Sequence, residues 1–280
     1  MTFSWHSALR SKLVERVIHL RTPEEVEMIA RGGKIIASLF REIVPLVIPG
    51  VSTADLDLFC DEYIVSHDGA VPAFKGLYGF PGSVCTSVNE EIVHGIPNSN
   101  RILASGDIVS IDVGVRLAGW CSDSAWTFVV GEVSNETQSL LKTTEKALRF
   151  AIDAAKPGNH VGDIGAAVIS VVEGEDCKIV RDLVGHGVGQ EVHEEPQVPN
   201  IGRPGHGPLL REGMVLAIEP MLSAGSPEIR TMDDGWTVIT ADKALSAHFE
   251  HTVALTAEGP KVLTTLASSF HEDFSTNLTA

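Results

Sequence analysis

A repeat with a spacing of 108 residues constrains the fold of this chain more than any other feature. The stretch IPGVSTADLDLFCDEYI, from Ile48, and the stretch KPGNHVGDIGAAVISVV, from Lys156, share Pro-Gly, four variable residues, then an aspartate and an aliphatic residue. Pro49 and Asp55 stand 108 positions ahead of Pro157 and Asp163. In each copy the pattern predicts an amphipathic helix before the Pro-Gly stop and a second helix after it. Thr22-Pro23-Glu24-Glu25 opens the first of these helices with a capping box and a proline at the first helical position. Ser134 or Asn135 caps its counterpart, which ends by Lys156-Pro157-Gly158. Pro-Gly is a common punctuator between helices. Two helices and a set of strands, twice over, nevertheless point to an α+β duplicate with a pseudo-two-fold axis.

Under that offset Asp112 lands beside Glu219, within one residue, so the strands that carry them would face one another across the axis. Asp112, Asp123, Glu219 and Glu250 each sit in an apolar, strand-like run: GDIVSIDVGV, CSDSAWTFVV, MVLAIEPM and HFEHTVAL. An ionised group buried in such a run is costly unless paired or bound to metal. With His186 they form four carboxylates and one imidazole, whose four negative charges cancel two divalent cations. The set reads as the ligands of a two-metal hydrolase. The run from Asp107 to Val130 reads as a β-hairpin, and a turn centred on Leu117 and Ala118 would put Asp112 directly opposite Asp123. Two carboxylates about 4 Å apart repel by roughly 4 kcal/mol at an effective dielectric of 20, which calls for a shared proton or a cation between them. A bulge or a longer turn would instead leave each as a solvated hairpin residue.

Composition narrows the partners. The 280 residues, 44% hydrophobic and 21% charged, suffice for one large domain or two small ones with a full core. A formal net charge of -16 argues against nucleic acid or an anionic membrane surface as the main partner; Arg10, Lys12 and Arg16 are a local basic exception. Cys60, Cys85, Cys121 and Cys177 form no CxxC, which fits neither a zinc knuckle nor a redox pair. No run of 18 apolar residues and no cleavable leader stand out, so a cytoplasmic protein is expected. The glycines of Gly185-His186-Gly187-Val188-Gly189 do not match the dinucleotide-binding spacing and read as places where backbone passes close to metals.

Five ordered stretches, FPGSVCTSVNEEIVHGIP, GDIVSIDV, GHGVGQEVHEEPQVPN, GMVLAIEPML and SAHFEHTVAL, resemble the type I methionine aminopeptidases of bacteria, over roughly Thr22 to Thr265. The resemblance implies the pita-bread fold, with duplicated helix-helix-strand halves around a curved antiparallel sheet. It implies that Asp112 chelates one metal, that His186 and Glu219 bind the other, and that Asp123 and Glu250 bridge both. It also makes His94 and His193 catalytic, and Phe80, Cys85 and Trp236 part of the methionine pocket. Leu77 and Val192 depart from the aromatic side chains that relatives often carry there, which leaves the pocket's shape in doubt.

The chemistry can also be reasoned from the ligand set. Two cations about 4 Å apart lower the pKa of a bridging water toward neutrality and supply hydroxide without a protein nucleophile. His193 would stabilise charge on the carbonyl oxygen, His94 would contact the scissile amide, and Glu219 would shuttle a proton. One nitrogen and several oxygens, with no thiolate, suit Mn, Fe or Co and permit Zn. His6, His19, His67, His206 and His271 read as surface or core histidines.

The leading expectation is therefore a cytosolic, two-metal methionyl aminopeptidase that trims peptides and nascent chains. A monomer is the family-based expectation, and ribosome contact would suit a co-translational enzyme. The alternatives are a proline-directed peptidase of the prolidase or aminopeptidase P type, whose members usually carry an upstream domain, and a peptide-binding module that has lost its metals. All five ligands are intact here. The expected organisation is an N-terminal arm over residues 1–21, one catalytic domain over 22–266 and a loose tail over 267–280. The Gly/Pro-rich stretch Asn200 to Gly213 is expected to form a long loop bordering the cleft.

Overall fold

The computed structural model describes residues 17–266. The basic residues Arg10, Lys12 and Arg16, most of the N-terminal arm and the tail from residue 267 lie outside that range. Among the described residues, four long helices form two pairs: α1 (Pro23–Ile43) with α2 (Thr53–Val65), and α3 (Asn135–Ala154) with α4 (Val161–Val172). Thr22 caps α1 with the expected reciprocal box to Glu25, and the Ser134 hydroxyl caps α3 by accepting from Thr137 N. Each pair covers antiparallel sheet. The first half contributes a four-stranded sheet built on the hairpin Ile108–Leu117/Trp120–Val129; the second contributes a five-stranded sheet from Val184–Gly187, Glu194–Pro199, Val215–Ile218, His251–Thr256 and Gly259–Val262. Two three-stranded sheets complete the strand layer.

The duplication extends to individual hydrogen bonds. Gly50 N donates to Leu103 O at 2.8 Å, and Gly158 N donates to Leu210 O at 3.0 Å. Leu103 N and Leu210 N return bonds of 2.8 Å to Val51 O and Asn159 O. The bridge Ser52 to Ile102 recurs as His160 to Leu209, and Asp55 and Asp163 each accept from the backbone N–H three residues earlier. Helices match at an offset of 108 and the following strands at 107, which puts Asp112 and Glu219 at equivalent places. Pro-Gly recurs because in both halves the glycine takes a left-handed conformation, φ 94 at Gly50 and 96 at Gly158, at the same corner.

The largest core cluster joins the two halves through Phe40, Phe128, Leu148, Ile164, Leu216 and Phe249. Packing against it is tight. A Cβ on Gly33 of α1 would collide with the Leu263 carbonyl, so Gly33→Ala should destabilise the protein by about 2–3 kcal/mol through overpacking. Urea denaturation checks this, and a change within about 0.5 kcal/mol would show that the helix yields freely.

All four cysteines are free and buried. No helix among the described residues is long and apolar enough to cross a membrane. The stretch Asn200 to Gly213 is a long loop, but it packs on the first turn of α4, where His206 O accepts from Gly162 N and Pro208 O from Val161 N. None of its residues lines the cleft. Small residues at Gly162 and Gly165 admit the loop backbone, and that contact accounts for its glycines and prolines.

Candidate active site

A cleft opens between the two halves, about 480 Å³ with its solvent-open mouth included, lined among others by Asp112, Asp123, His186, Glu219, Glu250, His94 and His193. The five proposed ligands arrive on several strands. The hairpin carries Asp112 and Asp123, and its register differs from the expected one. Asp112 pairs with Ala125 and Asp123 with Gly114, because the two-residue turn is Ala118-Gly119, not Leu117-Ala118. Both turn residues are left-handed, φ 50 and 84, as a tight hairpin requires. The acids are therefore offset by two positions on one face, still close enough for their carboxyl groups to share a hydrogen bond.

Glu250 reaches the hairpin from the second half. Its N–H donates to Ala125 O at 2.9 Å, Ser124 Oγ donates to its carbonyl at 2.6 Å, and Asp123 N donates to Thr252 Oγ1 at 3.0 Å. These bonds fix Asp123 and Glu250 side by side. Glu219 ends the strand Val215–Ile218, and its carbonyl accepts from Asn200 Nδ2 at 3.0 Å. His186 stands on the neighbouring strand, its Nε2 3.5 Å from Glu219 Oε1 and 3.8 Å from Asp123 Oδ2. His186 Nδ1 is 2.9 Å from Gly187 O. A carbonyl can only accept, so Nδ1 carries the proton and Nε2 turns its lone pair into the acid cluster.

The electrostatics of the cluster are those of a site built for cations. Burial pushes the Asp112 carboxyl up to about 6, with the nearby His248 opposing, and the Glu219 carboxyl up to about 7, with His186 opposing. Burial and then neighbouring carboxylates raise Asp123 and Glu250 further. Asp112 Oδ1, Asp123 Oδ1 and Glu250 Oε1 are buried with no hydrogen-bond partner, and the cleft is lined by no lysine or arginine. Donor atoms of Asp123, His186 and Glu250 all lie within 4.8 Å of one another, close enough to hold one ion. The residues present fit divalent metal, since orphaned buried oxygens and an oriented imidazole nitrogen are otherwise unfavourable.

His94 and His193 flank the cluster. Burial, and then the neighbouring His248, holds the His94 imidazole down at about 4; burial and His186 hold His193 well below its usual range. Both are neutral at physiological pH and able to donate a hydrogen bond without losing charge. His94 occupies a left-handed position, φ 58, kept by Gly95, whose carbonyl accepts from Thr86 N at 2.9 Å and where a Cβ would strike the Thr86 carbonyl. The His193 ring packs edge-on against His186, 4.4 Å between centroids. Beyond them the wall is apolar: Phe74, Leu77, Phe80, Cys85, Val93 and Trp236. Phe80 and Trp236 meet edge to face at 5.2 Å, and Cys85 lies directly opposite Asp112 in the sheet.

Comparison with known proteins agrees with this geometry. The chain is 48% identical to methionine aminopeptidase 1 of Bacillus subtilis over 248 residues, 89% of this chain and 99% of the relative. It is 44% identical to the Escherichia coli methionine aminopeptidase over 247 residues, covering 88% and 94%. The crystal structure of methionine aminopeptidase from Thermotoga maritima superimposes with a TM-score of 0.87 at 42% identity, covering 89% of this chain and 100% of that one. A prolidase from Pyrococcus furiosus shares the fold at a TM-score of 0.71 and 24% identity, covering 90% of this chain and 66% of that chain. The profile of metallopeptidase family M24 matches residues 27–257.

The chain belongs to metallopeptidase family M24.

Within this M24 peptidase, two further readings of the sequence need revision. Val192 does not line the cleft; it is buried in the apolar cluster behind it with Val188 and Cys121, whereas Leu77 does face the cavity. The glycines around His186 do not clear space for metal. A Cβ on Gly185 would collide with the Ala217 carbonyl, and one on Gly187 with the Glu195 carbonyl, so they admit neighbouring strands. His248 escapes a reading of the sequence: it is almost fully buried, with Nε2 3.6 Å from Glu219 Oε2 and 3.8 Å from Glu250 Oε2. Its position two residues before Glu250 on one extended run is the signal that could have found it. Phe74 and Val93 escape as well, because an apolar residue in a strand or loop carries no mark that distinguishes a pocket wall from core.

Proposed function

We propose that this M24 peptidase removes the N-terminal methionine from peptides and nascent chains, a reading supported by relatives that bear the name methionine aminopeptidase. The observation that carries the reading is the group of four acids, three of them with a buried oxygen that has no hydrogen-bond partner, and one oriented imidazole, set beside an apolar cleft. Asp112, Asp123, His186, Glu219 and Glu250 would hold two divalent ions; one nitrogen and several oxygens, with no thiolate, suit Mn, Fe or Co, and the imidazole permits Zn as well. When bound, such ions lower the pKa of water toward neutrality and polarise a carbonyl.

The remaining roles fall to the chain's own groups. The apolar wall of Phe80, Cys85 and Trp236, with Phe74 and Leu77, receives a flexible thioether side chain. His193, neutral and edge-on to His186, donates to the carbonyl oxygen as negative charge develops there. His94 donates toward the scissile amide and steadies the departing amine. Glu219 takes up a proton from the attacking water and returns it. Residues 22–266 form the catalytic unit, and the protein works as a cytoplasmic monomer on newly made chains.

The test is turnover of a Met-Ala-Ser peptide and of an Xaa-Pro peptide, before and after chelation, in the wild type and in Asp112→Asn. Only the methionyl peptide should be cleaved, chelation should stop the reaction, and added metal should restore it. Asp112→Asn should lose more than about 100-fold, since even outer partners of metal ligands cost 10–100-fold. Cleavage of the proline peptide alone, or unchanged turnover in Asp112→Asn, would overturn the reading.

A further inference from the structure

The segment just ahead of α1 is bolted to the turn that carries His193. Arg21 Nη2 forms an ion pair with Glu194 Oε2, both side chains about a tenth exposed or less. Its guanidinium also lies 5.1 Å from the Trp120 ring centroid, and its backbone N–H donates to Gly213 O at 2.7 Å. Ile18, three residues earlier, bridges in parallel to Glu195. The other oxygen of Glu194 accepts from Glu191 N at 3.2 Å and so closes the turn that ends in His193 and Glu194. At Gly189 a Cβ would collide with both Arg21 and Glu194; that glycine leaves the passage through which the guanidinium arrives. The far side of the turn is held by the hairpin, where Arg116 Nη1 donates to Gln190 O at 2.6 Å and Cys121 N to Gly189 O at 2.7 Å.

We propose that Arg21, acting through Glu194, is a positioning residue that sets the imidazole of His193 for the reaction, making the strap over residues 18–21 a working part of the active site. This rests on the role given to His193 above. A bidentate-capable, always charged guanidinium sandwiched between a carboxylate and an aromatic face holds direction as well as distance. Its partner is the residue adjoining His193. A catalytic group displaced by about 1 Å can cost on the order of 100-fold in rate, so slackening this bolt acts on chemistry more than on substrate affinity.

The experiment measures kcat and KM for Met-Ala-Ser hydrolysis by the metal-loaded, full-length protein in Arg21→Ala, Glu194→Gln, His193→Ala and the double variant Arg21→Ala/His193→Ala, with metal content and Tm recorded for each. Because one charge left alone in a buried pair can unfold a protein, Arg21→Met/Glu194→Gln removes both at once. Arg21→Ala and the paired variant should each lower kcat at least about tenfold with KM within about twofold and metal content unchanged. In the His193→Ala background, Arg21→Ala should cost nothing further. An equal loss with and without His193, or a kcat unchanged in the folded paired variant, would overturn the proposal. A wild-type rate in His193→Ala would instead remove the role of His193 itself, and with it the basis of the inference.

Discussion

Asp123→Asn is expected to abolish turnover while making the metal-free protein harder to unfold. The substitution keeps shape and removes an acid from the most crowded part of the cluster, where burial, Asp112 and Glu219 oppose its ionisation and it in turn opposes that of Glu250. With metal, the loss is of a ligand within reach of the same ion as His186 and Glu250, and the amide would turn a donor toward the cation. Activity should fall by more than about 100-fold, beyond what outer partners contribute. Without metal, one buried repulsive carboxyl is gone. A gain of about 1 kcal/mol would appear as roughly 2–4 °C in Tm for a chain this long. Melting curves with and without chelator, alongside peptide turnover, check both halves. A metal-free Tm lower than wild type would mean that Asp123 is held by protein contacts and is no strained acid.

Acidity should erase the stability that bound metal adds to the protein. In the unfolded chain these carboxyls titrate near 4, whereas burial lifts Asp112 to about 6 and Glu219 to about 7, and burial with neighbouring carboxylates raises Asp123 and Glu250 well above their ordinary range. Between about pH 4 and 7 these folded carboxyls therefore hold protons that the unfolded chain has released, a contribution to stability that declines as pH rises, while the buried imidazoles of His94, His193 and His248, whose proton affinity is lowered, contribute with opposite sign in the acid part of that window. The carboxyl contribution alone is on the order of a few kcal/mol, since a tenfold difference in proton affinity between the two states corresponds to about 1.4 kcal/mol. Metal requires the ionised acids, so its affinity declines as pH falls. The two melting temperatures should converge in mild acid and separate above about pH 7. A metal-induced increment in Tm that is independent of pH would contradict the charge balance of the site.

Much of this arrangement is legible in the sequence because the signals are local or periodic. The Pro49-Gly50 and Pro157-Gly158 corners mark the same left-handed position twice, and the capping residues at Thr22 and Ser134 fix where helices begin. The acids stand out because charge in an apolar strand has few explanations. Register is harder. Gly119 marks the turn, but its partner Ala118 has none of the left-handed preference of Asn or Asp, so the pattern puts the turn one residue early and Asp112 two positions out of true. Contacts between segments far apart in the chain leave no trace at all. Arg21 and Glu194, separated by 173 residues, look like ordinary charges until folding brings them together, and His248 looks like any strand residue until two glutamates close around it.

The connector over residues 131–134 divides the ligands unevenly, leaving Asp112 and Asp123 on one side and His186, Glu219 and Glu250 on the other. Neither lobe owns a complete set. Bound cations would thus act as rivets across the seam, adding cohesion only where the lobes already touch, and a nick in the connector that leaves the lobes clasped should be far less damaging than any change that lets them drift apart.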